Sequence, residues 1–313
     1  PFSDSMYKSK IFPYSHLLTG TQGKDPGFDP LEYMVQATHN ADMSFHAWIN
    51  PLRIRLNGTP DSLADCNPYF SFKAKDEQLG TDYIINHDGN LYYNPGYPEV
   101  RAMIINGVKE VIENYCVDAI HFDDYFYPTS DPEIDKICYN NYLKSVQSDS
   151  KPIDLIKWRC TNINSLISGV YNEIKSVNKD IQFGISPCLN LDKDIKSGAD
   201  VYSWGEKSGY VDYLCPQIYV NFDHPVLQFD KSCNQWRNII KNKDIKYYIG
   251  LGVYKAGSDA DNGTWKNSCD ILKREVEYSR TLNCDGFMLY SYDYLNNEST
   301  YNEVKNVMSV LNN

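Results

Sequence analysis

Short apolar runs rich in β-branched residues alternate with amphipathic segments along most of the chain. The clearest run is 117–125, which closes on two adjacent carboxylates, and the clearest amphipathic segment is 97–115, where apolar residues recur at helical spacing. The same patterns predict strands at 43–50, 180–187, 213–220, 246–254 and 286–292, and helices near 152–177, 227–242, 265–282 and 301–311.

Repeated units of strand and then helix predict a parallel sheet covered by helices. Polar or aromatic residues stand at the carboxyl end of strand after strand, which is typical of a (β/α)8 TIM-like barrel. About seven units are visible, and we expect residues 1–4 to be the end of a first strand whose body precedes Pro1. A doubly wound open sheet is the alternative, but no glycine-rich phosphate loop follows any strand.

A single domain is predicted for residues 1–313, because the sequence shows no repeat, linker or low-complexity tract. Residues 52–93 are rich in Asn, Asp, Gly and Lys. This segment is predicted to be a long loop excursion after the second strand, forming a lid or the wall of a binding subsite.

Charge and composition restrict the class of partner. The net charge of −11 and a pI near 5 exclude nucleic acid and anionic lipid, since no basic stripe is present to neutralise phosphates. No apolar run is long enough for a membrane span. The 26 tyrosines offer flat apolar faces with a polar tip, which suit carbohydrate clefts as well as ordinary half-buried surfaces.

The nine cysteines are scattered and show neither a C-x-x-C pair nor the Cys/His spacing of a zinc site. Several of them, such as Cys116, Cys188 and Cys215, are expected to be small buried hydrophobes, in a reducing setting. No metal or cofactor is predicted. A serine or zinc hydrolase is disfavoured, because G-x-S-x-G and H-E-x-x-H are both absent from the sequence.

The adjacent carboxylates Asp123 and Asp124 are the best candidates for catalysis. Alternation along the strand turns Asp123 towards the barrel mouth with His121 and Tyr125, and a carboxyl half-buried among aromatic rings has a raised pKa. Asp123 is therefore the candidate general acid. Asp124 would keep it protonated by repulsion, or hold water or a sugar hydroxyl. A turn residue beside a solvated one is the simple alternative, and His121 is equally well explained as a core histidine.

Other candidates for substrate contact lie at predicted strand ends or at the start of a helix. Arg159 would neutralise a carboxylate or donate to a sugar hydroxyl or lactyl carboxylate, although helix-surface arginines are usually solvated. Asn94 is expected to form a turn first and to contact ligand second. Asp4 and Asp293 are candidates for a second carboxylate, with turn or cap roles as the alternative. The remaining candidates are His46, Trp48, Asn50, Asn162, Gln217 and Tyr219.

Ordered blocks over nearly the whole chain resemble the glycosyl hydrolase-like 10 family. They include Pro1-Phe2-Ser3-Asp4, Asp25-Pro26-Gly27-Phe28-Asp29-Pro30-Leu31, His46-Ala47-Trp48-Ile49-Asn50-Pro51, Asn94-Pro95-Gly96, His121-Phe122-Asp123-Asp124-Tyr125-Phe126-Tyr127-Pro128, Trp158-Arg159 with Asn162, Ile185-Ser186-Pro187, Pro216-Gln217-Ile218-Tyr219, Tyr248-Ile249-Gly250 and Asp293-Tyr294-Leu295.

The resemblance implies a TIM-like barrel acting on bacterial glycans. Characterised bacterial members are cell-envelope enzymes that cleave peptidoglycan strands as hydrolases or lytic transglycosylases, so it also implies an envelope or secreted location. The chain departs from the family where the first strand is expected before Pro1. It departs again at Val220-Asn221-Phe222, where many relatives show an aromatic residue in the sixth-strand loop.

The sequence thus predicts a glycosidase in which Asp123 protonates the leaving oxygen and Asp124, with Asp4 or Asp293, stabilises charge or positions water. If the N-acetyl group of the substrate attacked instead, no second carboxylate would be required and an anhydro product would form. The rivals are a hydrolase of another polysaccharide and a non-catalytic glycan-binding barrel. A deacetylase is disfavoured by the lack of a metal-ligand cluster in the sequence.

Overall fold

The computed structural model describes residues 2–266 and 268–311. The chain divides into two compact units, the first made of residues 1–183 and 192–200, the second of residues 184–191 and 201–313. The prediction of one domain is not tested by this division and stays a prediction. No helix within the described ranges is long and apolar enough to cross a membrane.

In the first unit, two short parallel strands carry the residues predicted to form the site. Strand β1 (His46–Ile49) pairs with β5 (Ala119–Phe122), so that Trp48 lies opposite His121 and Ile49 lies opposite Phe122. Every residue of β5 is buried, and the Phe122 ring packs edge-on against Phe183. A strand that is buried on both faces reads as an apolar run, which is why the sequence predicted it.

Helix α4 (Pro98–Asn114) shows how sequence determines the helices of this unit. Proline stands at its first position, where no hydrogen-bonded N–H is needed, and Glu99 lies in its first turn, where the helix dipole favours a negative charge. Val100, Ile104 and Val108 lie on its buried face. The other helices are α1 (His16–Thr19), α2 (Pro30–His39), α3 (Pro68–Leu79), α5 (Lys136–Ser145), α6 (Leu155–Val177) and α7 (Leu191–Lys196), the last of which begins at the unit boundary.

Residues 52–93 are an excursion, but they are not a loop as predicted. They form helix α3 and a three-stranded antiparallel sheet in the order β2 (Arg53–Arg55), β4 (Asn90–Tyr93), β3 (Ile84–His87). Asp88 and Gly89 both have positive φ between β3 and β4, as a type I′ hairpin turn requires. The prediction failed because strands of three or four residues show too little periodicity, although the Asp-Gly pair was a usable hairpin indicator.

Strand β6 (Gln182–Ile185) carries the chain from the first unit into the second. In the second unit the parallel strands follow in chain order, as β7 (Tyr213–Leu214), β8 (Lys246–Gly252) and β9 (Gly286–Tyr290). The helices of this unit are α8 (Val201–Glu206), α9 (Phe229–Ile239), α10 (Ala260–Gly263), α11 (Ile271–Thr281) and α12 (Tyr301–Leu311). The alternation of strand and helix predicted from the sequence is therefore present.

Two predicted strands differ from the structure. The strand predicted at 213–220 shrinks to two residues, because Pro216 has no N–H to donate to a ladder, and Gln217 makes only isolated bridges with Cys188 and Gly250. At the amino end, residues 2–4 are not in a strand, and Ser5 forms an isolated bridge with Tyr14. Pro1 lies outside the described residues.

All nine cysteines, each within the described ranges, are free thiols. Cys215 is buried as expected and Cys188 is half-buried, but Cys116 is exposed. Burial begins at Val117, directly after Cys116, and continues through β5 from Ala119.

Candidate active site

Asp123 comes directly after β5, and its side chain is held by hydrogen bonds from residues at the end of β1. The residue is only 4% exposed. Its Oδ2 atom accepts hydrogen bonds from the Trp48 indole N–H and the Asn50 side-chain amide, both at 3.1 Å, while Oδ1 accepts one longer bond of 3.3 Å from the Tyr125 N–H. Since two donors fill the lone pairs of Oδ2, Oδ1 is the oxygen with room for a proton.

Burial raises the pKa of Asp123 to about 6. The Tyr125 N–H, the Arg53 charge and the Trp48 indole each lower this pKa, whereas the neighbouring charge of Asp124 raises it. Because burial is the largest influence, the carboxyl keeps its proton up to nearly neutral pH. The sequence predicted a raised pKa for Asp123, and the pKa is raised. Burial is the main cause, and repulsion by Asp124 is a smaller one.

The two histidines predicted at the site are not equivalent in the structure. His121 is buried beside Trp48, and burial, with a smaller effect from the His46 charge, lowers its pKa to about 4. It is therefore neutral near pH 7 and unsuited to be an acid. His46 lies at the opposite end of β1, level with Ala119 and close to Asp118. The structure brings Trp48 and Asn50, but not His46, to Asp123, although all three residues share one face of the predicted strand.

The rim around Asp123 is aromatic and contains one arginine that the sequence did not single out. Trp48 is 59% exposed and Tyr125 is 49% exposed, so both rings present a face to solvent. The Arg53 guanidinium lies 4.3 Å from the centre of the Tyr125 ring. Arg53 and Arg55 stand on either side of Ile54 in β2. Nothing in the sequence indicates that Arg53, rather than Arg55, lies beside the Asp123 carboxyl.

Asp4 shares a cavity of about 170 Å³ with Trp48 and Asn50, so the structure brings it into the neighbourhood of the site. The Asp4 carboxylate also belongs to a local cluster. It accepts a hydrogen bond from the Phe2 N–H at 3.2 Å and one from the Gln22 amide at 3.5 Å, and it lies 3.6 Å from His16 Nδ1.

Arg159 has a structural role rather than the predicted one in substrate binding. Its guanidinium is fully buried and donates to both oxygens of Asp135, at 2.8 and 2.6 Å. It also donates to the main-chain carbonyls of Thr129 and Asp131. A buried cation must be paired and hydrogen-bonded, and here every guanidinium nitrogen is used within the protein. We therefore remove Arg159 from the substrate contacts.

Asn94 and Asn162 are corrected because both are buried, although Asn162 Nδ2 has no hydrogen-bond partner among the described residues. Asn94 is fully buried, with its amide donating to the Asp82 carbonyl and its oxygen accepting from the Gly96 N–H, so it forms the expected turn and presents no atom to a ligand. Asn162 is buried on α6, where its oxygen accepts from Arg101 at 3.4 Å. Helical spacing predicted the position of Asn162 on α6 but not the direction in which that face points.

The remaining candidates belong to the second unit. Tyr219 stacks on Tyr290, with ring centres 5.4 Å apart and an interplanar angle of 14°, and meets Tyr254 edge-on. Gln217 donates to the Ser186 carbonyl, and Asp293 is exposed in a short turn after β9. Tyr290, which is 41% exposed, was overlooked because it was counted as part of the strand interior.

A buried carboxyl of raised pKa, at the carboxyl end of a parallel strand and beside exposed aromatic rings, is the arrangement found in glycoside hydrolases built on parallel α/β barrels. The fold agrees with this class. It is similar to the glycoside hydrolase domain of PgaB (BpsB) from Bordetella bronchiseptica, with a TM-score of 0.57 and 13% identity over 98% of this chain and 84% of that one. The predicted TIM-like fold class is confirmed.

The chain belongs to the Glycosyl hydrolase-like 10 family, whose profile matches residues 1–266. It is 33% identical to the glycosyl hydrolase YngK of Bacillus subtilis over 95% of this chain, and 31% identical to the glycosyl hydrolase DigH of Escherichia coli K12 over 99% of it. The chain spans 59% of the length of YngK and 74% of the length of DigH. The family predicted from the ordered sequence blocks is confirmed.

Proposed function

We propose that this protein cleaves glycosidic bonds in the glycan strands of peptidoglycan, with Asp123 as the general acid. The observation that carries the proposal is the environment of the Asp123 carboxyl. This carboxyl is buried, has a pKa of about 6 and lies beside two exposed aromatic rings. Membership of the family supports glycan cleavage. The choice of peptidoglycan, and of an envelope or secreted location, follows from what the sequence resemblance implies.

The chemistry begins with transfer of the proton from Asp123 Oδ1 to the glycosidic oxygen. The bond between that oxygen and the anomeric carbon breaks, and positive charge develops on the anomeric carbon and ring oxygen. Asp123 becomes a carboxylate, which the donors already aimed at Oδ2 from Trp48 and Asn50 stabilise without rearrangement. These donors are matched to the charge that appears during the reaction.

The partner of Asp123 is the second part of the proposal. Asp124, adjacent and half-exposed, would position water or stabilise the developing charge. Asp4, which lines the cavity shared with Trp48, is the other carboxylate of the first unit in this role, and Asp293 stays a prediction. Attack by the N-acetyl group of the substrate would leave an anhydro sugar end, whereas attack by water would leave a reducing end.

Aromatic faces supply the proposed binding surface for sugar rings. Trp48 and Tyr125 flank Asp123 in the first unit, and both rings are exposed to solvent. Apolar sugar faces stack on such rings, while the indole N–H and phenol hydroxyls serve as polar contacts. A non-catalytic glycan-binding protein would need the same aromatic faces, so only an activity measurement separates the two functions.

The test is to incubate purified peptidoglycan with the wild type, Asp123→Asn and the exposed control Asp244→Asn, and to identify the products by mass spectrometry. The proposal predicts soluble fragments from the wild type and the control, and release lowered by a factor of about 10² to 10⁴ with Asp123→Asn. Equal release by Asp123→Asn contradicts the role of Asp123. Sedimentation of all three proteins with peptidoglycan, without any release, identifies a binding protein instead.

A further inference from the structure

Arg53 differs from the other arginines of the chain in having no acidic or carbonyl partner. Within residues 2–266 and 268–311, no carboxylate lies within ion-pairing distance of its guanidinium. Its Nε atom is buried without a hydrogen bond, a feature that it shares with Arg55. Each of the other six arginines donates to a carboxylate or to a main-chain carbonyl: Arg55, Arg101, Arg159, Arg237, Arg274 and Arg280.

The side chain of Arg53 is held by ring contacts and by its backbone. The guanidinium lies over Tyr125 and 5.8 Å from the centre of the Phe2 ring. The Arg53 N–H donates to Asn50 Oδ1 at 3.2 Å, and the amide of the same Asn50 donates to Asp123 Oδ2. Asn50 therefore fixes Arg53 and Asp123 relative to each other, and a ligand would meet a preorganised cation.

The charge of Arg53 acts on the groups around it. Burial raises the pKa of Asp123, of Tyr125 and of Tyr92, the residue opposite Arg53 in the β2–β4 pair, and the charge of Arg53 opposes that rise at each of them. At Tyr125 a hydrogen bond with Arg53 opposes it as well. In a chain of net charge −11, a cation left without a counter-ion beside a candidate acid is unusual. A planar guanidinium stacked on an aromatic ring retains its edge nitrogens for in-plane hydrogen bonds, and the carboxylate is the group whose geometry matches them.

We infer that Arg53 binds a carboxylate carried by the sugar next to the scissile bond, such as the lactyl carboxylate of an N-acetylmuramic acid residue. The inference rests on the proposed function, because it places that sugar beside Asp123. Arg159, to which the sequence assigned this role, already pairs with Asp135. Arg53 thereby becomes the residue that selects carboxylated sugars over neutral ones of the same shape.

The inference is tested by binding, which does not depend on catalysis. The probes are the peptide-free disaccharide of N-acetylglucosamine and N-acetylmuramic acid, and the same disaccharide with its carboxyl reduced to an alcohol. Both are titrated by calorimetry into the wild type, Arg53→Gln, Arg53→Lys and the matched control Arg55→Gln. Arg55 lies two residues away on the same strand and donates to the carbonyls of Gly58 and Asp61.

The wild type and Arg55→Gln should prefer the carboxylated disaccharide by a factor of about ten or more, since a charged bidentate pair is lost with the other probe. Arg53→Gln should bind both probes alike, and Arg53→Lys should keep part of the preference. Equal binding of the two probes by the wild type, or no binding of either, overturns the inference. So does an equal loss for both probes in Arg53→Gln, which would indicate a structural role.

The outcome is separable from that of the proposed function. Discrimination by binding, with no cleavage of peptidoglycan by the wild type, supports Arg53 as the carboxylate site and contradicts Asp123 as an acid. Cleavage that depends on Asp123, together with equal affinity of the wild type for both probes, supports Asp123 as the acid and contradicts Arg53 as the carboxylate site. Thermal unfolding of each variant shows whether its fold is retained, and the partial rescue expected of Arg53→Lys gives the inference a second check.

Discussion

At the scale of single residues, the proton on Asp123 is controlled by two opposing influences. Burial favours the neutral acid, whereas the donors from Trp48, Asn50 and the Tyr125 N–H favour the carboxylate. The result is a pKa of about 6, which leaves the group able both to give up a proton and to be stabilised once it has done so. Removing one of these donors should therefore raise the pKa of Asp123.

Replacing Trp48 by Phe keeps an aromatic ring and removes the indole N–H that donates to Asp123 Oδ2. That donor lowers the pKa of Asp123. In its absence the basic limb of the pH profile, where activity falls because Asp123 has lost its proton, should move to higher pH by about one unit or less. The pH dependence of kcat/KM measures this limb. Tyr125→Phe is the control, because it keeps the main-chain N–H that contacts Asp123, and its limb should stay in place. An unmoved limb in Trp48→Phe contradicts the prediction.

Side-chain direction at the site was predictable only where the backbone pattern is regular. Alternation on β5 placed Asp123, and alternation on β1 placed Trp48 and Asn50, because strands have a strict period of two. The roles of Arg159 and Arg53 could not be predicted in this way. The Arg159 side chain is held by Asp135, 24 residues earlier in the chain, and the Arg53 side chain lies against the ring of Tyr125, which is outside its own strand.

At the scale of elements, the segment that follows Asp123 is fixed by one buried ion pair. Arg159 on α6 binds the Asp135 carboxylate and the carbonyls of Thr129 and Asp131, so a segment that ends in a short 3-10 helix (Pro132–Asp135) becomes attached to a long helix. Breaking a buried pair leaves an uncompensated charge.

Arg159→Gln should therefore lower the free energy of unfolding by about 3–5 kcal/mol, measured by urea denaturation. The matched control is Arg274→Gln, which removes an arginine paired with Asp270 where both side chains are about half exposed. That change should cost less than about 1 kcal/mol. Similar losses in the two variants would show that the buried pair has no special role in stability.

Long helices with a clear apolar spacing were predicted best, whereas α2 and α5, each of ten residues, were not predicted. The helices at α4, α6, α9 and α12 follow from apolar spacing over several turns, whereas the excursion formed by α3 and β2–β4 does not. Its strands are too short to show a period, and Ile54, the buried residue of β2, stands between two arginines. Tertiary packing, rather than local pattern, determines that part of the fold.

At the scale of the whole molecule, buried carboxyls make stability depend on pH. Glu275 on α11 is fully buried, and neither of its oxygens has a hydrogen-bond partner among the described residues. Burial, and to a smaller extent the neighbouring charge of Glu303, raises the pKa of Glu275 well above its usual range. A carboxyl whose pKa is raised on folding stabilises the native state when protonated, and that contribution is lost as the pH rises.

As the pH rises above the ordinary glutamate pKa of 4.5, the free energy of unfolding should therefore fall more steeply in the wild type than in Glu275→Gln, by about 1.4 kcal/mol per pH unit until the folded-state pKa is reached. Urea denaturation at a series of pH values measures the slope. Glu277→Gln, on the same helix but half exposed beside Lys273, should keep the slope of the wild type. Parallel slopes in the wild type and Glu275→Gln would be inconsistent with a protonated Glu275.

The central claim is that Asp123 donates the proton to the leaving group, and the most direct measurement compares leaving groups. Rates of the wild type and Asp123→Asn are measured on peptidoglycan glycan strands and on an aryl glycoside of the same sugar whose phenol leaves without protonation. If Asp123 is the general acid, Asp123→Asn should lower the rate on the strands by a factor of about 10² to 10⁴ and the rate on the aryl glycoside by a much smaller factor. Equal losses on both substrates would contradict this role of Asp123.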